Sequence, residues 1–262
     1  MKRRSFASFD LVGCILIFLT SFSIFNQKVI GQTNRVDLSI EDIIDRDMLD
    51  NSSSLRRTYN KTAGFNGKTY TKPIKYYIHD KNKKITLDFE PFTINYAFEI
   101  SHDLERFIVD TFNKIDAIID LDFERVYSPE KANITIYRTK KFSENYDGYS
   151  EFNWVDDDII YSQIVWHAYK NNPFYKVKKL KDYPTLSYDY ATILLHEISH
   201  SLGLLHSGCG QDWCQFNFDP EDSRINVRDT IMSYNFVPSE KIFFSNLDIE
   251  ALKAIWGIEK DK

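Results

Sequence analysis

The spacing of hydrophobic residues along the chain predicts an α+β fold. Short apolar runs of strand length lie mainly in the first half, at residues 74–78, 121–126, 134–137 and 159–166. Apolar residues recur every three or four positions, as in amphipathic helices, over residues 100–119, 187–204 and 245–255. Strands therefore come mostly first and two of the three long helices come last, which is typical of a mixed α and β domain.

Serine and glycine residues mark the ends of two predicted helices. Ser101 and Ser245 stand where a side-chain oxygen can cap a first helical turn. Gly257 follows the last helix, and glycine ends helices readily because it enters left-handed backbone conformations without steric cost. Nearer the N-terminus, one short amphipathic helix is predicted from the spacing of Ile40, Ile43, Ile44 and Met48.

The first 31 residues resemble a secretory signal peptide. Lys2, Arg3 and Arg4 precede an apolar run at residues 11–25, which is shorter than the about 20 residues that a membrane span needs. We therefore expect a secreted or otherwise extracytoplasmic protein. An uncleaved signal anchor is the alternative, and it would attach the protein to a membrane with the same domain outside the cytosol.

Residues 32–72 differ from the sequence that follows and are too few to form a core of their own. Asn51 to Ser54 and two isolated glycines are typical of a linker. We interpret this segment as a short propeptide or an N-terminal arm. Residues 73–262 are then a single domain, whose oligomeric state the sequence does not indicate.

Composition and charge exclude two classes of protein. Hydrophobic residues make up 43% of the chain and aromatic residues 15%, which is enough for a substantial core and excludes general disorder. The net charge is −5, so a nucleic-acid partner is not expected.

Three histidines within residues 196–206 have the spacing of a metal site. His196 and His200 are four residues apart, so both imidazoles leave one face of a helix. Gly203 allows the helix to end and the chain to turn back, which brings His206 to the same point. Three neutral ligands with one open position are the arrangement of a single catalytic zinc ion.

Glu197 adds a proton acceptor to this predicted site. A zinc ion with neutral ligands lowers the pKa of a bound water from about 15.7 to about 7. Glu197 follows the first histidine and is placed to accept the proton of that water and pass it to a leaving amine. The expected reaction is hydrolysis of peptide bonds in a protein or peptide substrate.

Two motifs resemble the signatures of the metzincin zinc peptidases. One is His-Glu-x-x-His-x-x-Gly-x-x-His at residues 196–206, and the other is the Met-turn at residues 230–234, with Met232 at its centre. Within that clan the chain is most similar to the matrixins, through His206-Ser207, the strand sequences 123–126 and 133–136, and the last helix with Trp256-Gly257. The resemblance extends over residues 73–262.

This resemblance implies a fold and several residue roles. The fold is a twisted, mixed and mostly parallel sheet with a zinc-site helix and a C-terminal helix. Met232 would form an apolar floor beneath the metal, and Tyr234 would contact the zinc or the transition state, with a merely packed tyrosine as the alternative. An extended substrate would bind antiparallel to an edge strand, for which residues 159–166 are our candidate.

Other features depart from the matrixin pattern. The path from His206 to Met232 is longer than usual and contains Cys209 and Cys214, which we predict to form a disulfide; a free thiol or a metal pair is the alternative. No cysteine occurs between residues 32 and 208, which excludes a cysteine-switch propeptide. The remaining histidines match no structural zinc site: His79, His102 and His167. A calcium site would need the acidic residues Asp219, Glu221 and Asp222, for which a solvated loop is the simpler interpretation.

Three hypotheses for function follow. The first is a secreted zinc-dependent metalloendopeptidase. The second is a catalytically inactive, zinc-stabilised binding module, against which the intact Glu197 counts because binding alone does not need that carboxylate. The third is a membrane-anchored protease, which differs from the first in location but not in chemistry.

Overall fold

The computed structural model describes residues 38–44, 73–89, 92–140, 147–155, 158–167, 179–207, 224–235, 237 and 242–260. Several predictions fall outside these ranges. They are the signal segment at residues 1–31, the disulfide between Cys209 and Cys214, and the calcium site at Asp219, Glu221 and Asp222.

Seven strands form one mixed sheet. They are β1 (Ile74–Ile78), β2 (Lys83–Phe89), β3 (Phe92–Phe98), β4 (Phe123–Val126), β5 (Ile134–Thr139), β6 (Gly148–Val155) and β7 (Asp158–His167). Four of them lie parallel in the order β4, β1, β5 and β7. The β2–β3 hairpin joins β5 through β3, and β6 joins β7, both by antiparallel pairing. The mixed, mostly parallel sheet that the matrixin resemblance implies is therefore confirmed.

The strand at the sheet edge is β6, and not the segment 159–166 that we predicted. Residues 159–166 lie within β7, which pairs with β5 on one side and with β6 on the other, so β7 is an internal strand. Among the described strands, β6 pairs with β7 alone. The prediction that residues 159–166 supply a substrate-binding edge was wrong, because it did not anticipate the reversal of the chain between β6 and β7.

In the described residues, three α-helices accompany the sheet: α1 (His102–Asp116), α2 (Tyr188–Ser201) and α3 (Asn246–Trp256). Ser245 caps α3 as predicted, since its Oγ accepts a hydrogen bond from Asp248 N at 3.1 Å. Ser101 occupies the N-cap position of α1 in an extended conformation, although its side chain makes no capping bond. Within the described part of the chain, no helix has the length and apolarity that crossing a membrane requires.

Alternate residues of the central strands face two different cores. Tyr76 and Ile78 of β1 join the main core, which they share with buried residues of all three helices. Tyr77, between them, belongs to a second and smaller core on the opposite face, together with Tyr137 of β5 and Val165 of β7. Buried residues along most of α2 belong to the main core, which anchors this helix.

The described N-terminal residues belong to the same main core. A short 3-10 helix covers Ile40–Asp42, and Ile44 then makes an antiparallel bridge to Leu204. Ile43 and Ile44 are both completely buried. The helix predicted around residues 40–48 therefore ends at Asp42, because extended pairing with Leu204 replaces helical hydrogen bonding; Met48 lies outside the described residues.

Candidate metal centre

Helix α2 presents the first two histidines. Ser187 begins the helix, and its Oγ accepts a hydrogen bond from Tyr190 N at 3.4 Å. The apolar side of α2 is buried in the main core through residues such as Leu194, Leu195 and Ile198. This anchorage fixes the rotation of the helix about its axis, which determines where His196 and His200 point.

A tight turn brings the third histidine back to the helix. Gly203 has a φ of 96°, in the left-handed region that glycine adopts without strain, and its amide donates to the carbonyl of His200 at 2.9 Å. The imidazole of His206 consequently lies 4.7 Å from that of His200 and 5.1 Å from that of His196, measured between ring centroids. One nitrogen from each ring lies within 4.8 Å of the others, which is close enough to share one metal ion.

Backbone carbonyls orient two of these rings. Nδ1 of His196 lies 2.9 Å from the carbonyl oxygen of Ile231, and Nδ1 of His200 lies 2.8 Å from that of Leu204. Because a carbonyl oxygen only accepts, Nδ1 carries the proton in both rings and Nε2 keeps its lone pair. The Nε2 atoms of His200 and His206 are 3.1 Å apart. This donor set fits a zinc ion, which binds neutral imidazole nitrogens.

The protonation of the rings also favours metal binding. Desolvation lowers the pKa of His196 to about 4 and that of His200 to about 3, where the neighbouring His196 adds to the effect. The pKa of His206 is lowered well below its usual value by desolvation and by the neighbouring His200 and His196. All three rings are therefore neutral at pH 7, and a metal ion does not have to displace a proton from them.

The side chain of Glu197, a residue of α2, packs against Gly148, the first residue of β6. Only 6% of its surface is exposed, and this desolvation raises the pKa of its carboxyl well above the usual value. A Cβ atom added to Gly148 would lie 2.7 Å from Cγ and 2.8 Å from Cδ of Glu197, which is too close for a side chain unless Glu197 shifts. Glycine at position 148 thus makes the room that the Glu197 side chain occupies.

The Met-turn is fixed by a buried carboxylate that the sequence analysis did not single out. Asp248, at the third position of α3, accepts hydrogen bonds from Thr230 Oγ1 at 2.6 Å and from the Ile231 amide at 3.0 Å. Met232 is completely buried, and its carbonyl accepts from the Ser207 amide at 3.3 Å. The sequence pattern Ser245-x-x-Asp248 could have identified Asp248, because an acidic residue three positions after an N-cap serine completes a capping box.

Tyr234 brings a hydroxyl group to the three histidines. Its Oη lies 2.8 Å from Nε2 of His206, and its ring centroid is 5.8 Å from that of His196. The residue as a whole is 42% exposed. Tyr234 is therefore positioned to contact a molecule bound at the metal centre.

The other histidines lie apart from this cluster. His79 accepts or donates a 3.1 Å hydrogen bond with Tyr77 Oη beside the smaller core. His167, at the end of β7, lies 3.4 Å from an Asp147 carboxylate oxygen. In the described ranges, His196, His200 and His206 are the one group of three that could share a metal ion.

Comparison with known families agrees with this geometry. The family model of the matrixins matches residues 78–229, which is more than half of the chain. The chain belongs to the matrixin family. Matrixins are zinc metallopeptidases, and the match includes all three histidines and Glu197. It ends at residue 229, so the Met-turn of this matrixin, including Met232 and Tyr234, lies just beyond it. No curated protein matches the chain.

Proposed function

We propose that this matrixin is a secreted zinc-dependent metalloendopeptidase in which Glu197 is the general base. The observation that carries the proposal is the convergence of three neutral imidazoles beside a buried carboxylate. His196, His200 and His206 would hold one zinc ion. When bound, the zinc activates a water molecule for attack and polarises the substrate carbonyl.

The residues of the chain supply the proton transfers. Desolvation raises the pKa of Glu197, so its carboxylate is a stronger base than an exposed glutamate and accepts the proton of the attacking water. The same carboxyl group then donates this proton to the leaving amine, which cannot depart as an anion at neutral pH. The hydroxyl of Tyr234 is placed to donate a hydrogen bond to the negative oxygen that develops on the substrate.

The substrate lies along β6 in this proposal. β6 begins at Gly148, which touches Glu197, so the backbone of this strand starts at the catalytic carboxylate. An extended peptide that pairs with a strand edge acquires regular backbone hydrogen bonds, whatever its side chains. This favours protein and peptide substrates and places the scissile bond near the start of β6.

Secretion is supported by the signal-like pattern of residues 1–31. The disulfide between Cys209 and Cys214 remains a prediction. It is consistent with secretion, because disulfides persist in oxidising compartments. Met232, which is completely buried, is proposed as the apolar floor of the metal site and not as a ligand.

Substitution of Glu197 tests the proposed reaction. Glu197→Gln preserves the size of the side chain and removes the base, while Glu197→Ala removes the carboxyl group entirely. We expect both variants to retain one zinc ion per chain and to lose about 10²- to 10⁴-fold in hydrolysis of an unfolded protein substrate. Undiminished proteolysis in both variants would exclude Glu197 as the base. Wild-type protein with stoichiometric zinc and no proteolysis would instead support the inactive binding module.

A further inference from the structure

Residues 38–44, which we name the N-terminal strap, contact the loop that follows the metal helix. The amide of Leu205 donates to the carbonyl of Ile43 at 2.8 Å, and Ile44 makes an antiparallel bridge to Leu204. Leu204 and Leu205 are the two residues between the Gly203 turn and His206. The strap therefore pairs, backbone to backbone, with the segment that delivers the third histidine.

The same segment also orients the second histidine. The carbonyl of Leu204 accepts the Nδ1 proton of His200 at 2.8 Å, which leaves Nε2 for the metal. Leu204 is itself completely buried. Any displacement of Leu204 would thus move both the acceptor of His200 and the residue two positions before His206.

The strap is held in place by its own side chains. Ile43 and Ile44 are both 0% exposed and belong to the main core, and Ile40 packs against that core from the side. The 3-10 helix of the strap also packs on α3. Trp256 of α3 donates from Nε1 to the carbonyl of Leu202 at 2.8 Å, so α3 also holds Leu202, the residue before Gly203. Removal of the strap would therefore uncover Leu204 and Leu205, the two residues with which it pairs.

We propose that the N-terminal strap is a permanent part of the mature catalytic domain and that Ile43 and Ile44 are positioning residues for the zinc site. This inference rests on the proposed function, since it assigns these residues to the zinc ion held by His196, His200 and His206. Residues 32–72 are then not a propeptide that is discarded whole: the mature chain retains at least residues 38–44.

The rate of zinc loss tests the positioning role. Groups that orient metal ligands typically change metal affinity by 10- to 100-fold when they are removed. We expect Ile44→Ala, in the full chain, to lose zinc to a chelator about 10- to 100-fold faster than wild type, and Ile44→Val to show a smaller increase. Substitution of cobalt(II) for zinc gives a second signal, since its visible absorption reports the geometry of the ligands and should change in Ile44→Ala.

A matched control separates positioning from loss of stability. Ile94 is 2% exposed and lies in the smaller core, which contains no residue of α2. Ile94→Ala removes the same atoms, so it is expected to lower the unfolding midpoint while the rate of zinc loss and the cobalt spectrum stay as in wild type. Equal zinc loss in Ile44→Ala, Ile94→Ala and wild type would overturn the proposal.

Cleavage of the full chain tests whether the strap is retained, even if Ile44→Ala does not fold. A specific protease site is introduced at Asn51 to Ser54, the chain is cut, and the products are separated by gel filtration. We expect the N-terminal fragment to remain bound to the zinc-loaded domain. Release of that fragment with full retention of zinc would refute the role of the strap. If wild-type protein bound no zinc at all, the proposed function would fail instead, so the two failures are distinguishable.

Discussion

Asp248 provides the most direct test of how the Met-turn is held. Its carboxylate is completely buried and accepts hydrogen bonds from three groups: Thr230 Oγ1 at 2.6 Å, the Ile231 amide at 3.0 Å and the Ser245 amide at 2.8 Å. Burial raises the pKa of this carboxyl group, and these hydrogen bonds act in the opposite direction. Asp248→Ala would leave all three donors without this acceptor, two of them on the buried residues Thr230 and Ile231.

The expected loss follows from these three bonds. A hydrogen bond to a charged group contributes about 1.5–3 kcal/mol. At the lower end of this range, three bonds give a loss of about 4–5 kcal/mol in the free energy of unfolding. This is a large part of the about 5–15 kcal/mol that stabilises a typical domain.

Asp248→Asn is the matched variant. Its amide oxygen can replace Oδ2, which accepts from both the Ile231 and Ser245 amides. Its amide nitrogen would then donate to the Thr230 hydroxyl, which can accept as well as donate. Both backbone bonds are kept without the charge, so we expect a loss of only about 1–2 kcal/mol.

Urea unfolding at pH 7 with a chelator present measures both losses without a contribution from zinc. Nearly equal losses for Asp248→Ala and Asp248→Asn would show that side-chain volume matters and not the acceptors. A loss below about 1 kcal/mol for Asp248→Ala would refute the reasoning altogether. Since the carbonyl of Ile231 orients His196, the alanine variant should also bind zinc more weakly than the asparagine variant.

Two further predictions concern the catalytic carboxyl group and the metal-free protein. Gly148→Ala places a methyl group against the side chain of Glu197, so we expect at least about a tenfold fall in kcat with unchanged zinc content; full activity would show that the carboxylate has room to move. In zinc-free protein, the pKa values of His196 (about 4) and His200 (about 3) lie below the 6.5 of an unfolded histidine. The unfolded chain therefore binds more protons below pH 6.5, and stability should fall by up to about 1.4 kcal/mol per pH unit for each ring. Urea unfolding at pH 7, 6 and 5 measures this slope, and a constant midpoint would contradict it.

Local sequence signals predicted most of the elements that carry the metal centre. The spacing of His196 and His200, together with Gly203, predicted a helix followed by a reversal, and α2 and its turn confirm this. The four strands that were predicted are β1, β4, β5 and β7. The helix and its turn depend on interactions within a few residues of one another, and the four strands are marked by runs of apolar residues, which is why periodicity and caps were sufficient to locate them.

Elements that depend on distant partners could not be predicted in this way. The β2–β3 hairpin and β6 were missed, and β6 is the strand that meets Glu197 through Gly148. Nothing in the residues next to Gly148 indicates that a helix about fifty positions later approaches it. Ile43 and Ile44 were assigned helical spacing, although their pairing with the loop before His206 determines their conformation. Strand order and such pairings follow from tertiary packing, which overrides local preference.

The outer contacts of the histidines explain why the supporting residues are so far from the metal in sequence. The acceptors for His196 and His200 are the carbonyls of Ile231 and Leu204, which no side-chain substitution can remove directly. A carboxylate in their place would make the imidazoles more basic and add negative charge near the ion. Neutral carbonyls orient the rings without that charge, so the dication retains its effect on a bound water. The cost of this arrangement is that each peptide must be fixed by something else. Asp248 on α3 holds the first through Thr230, whose Oγ1 accepts from the Met232 amide. The carbonyl of Ile43 in the N-terminal strap accepts from the Leu205 amide of the second.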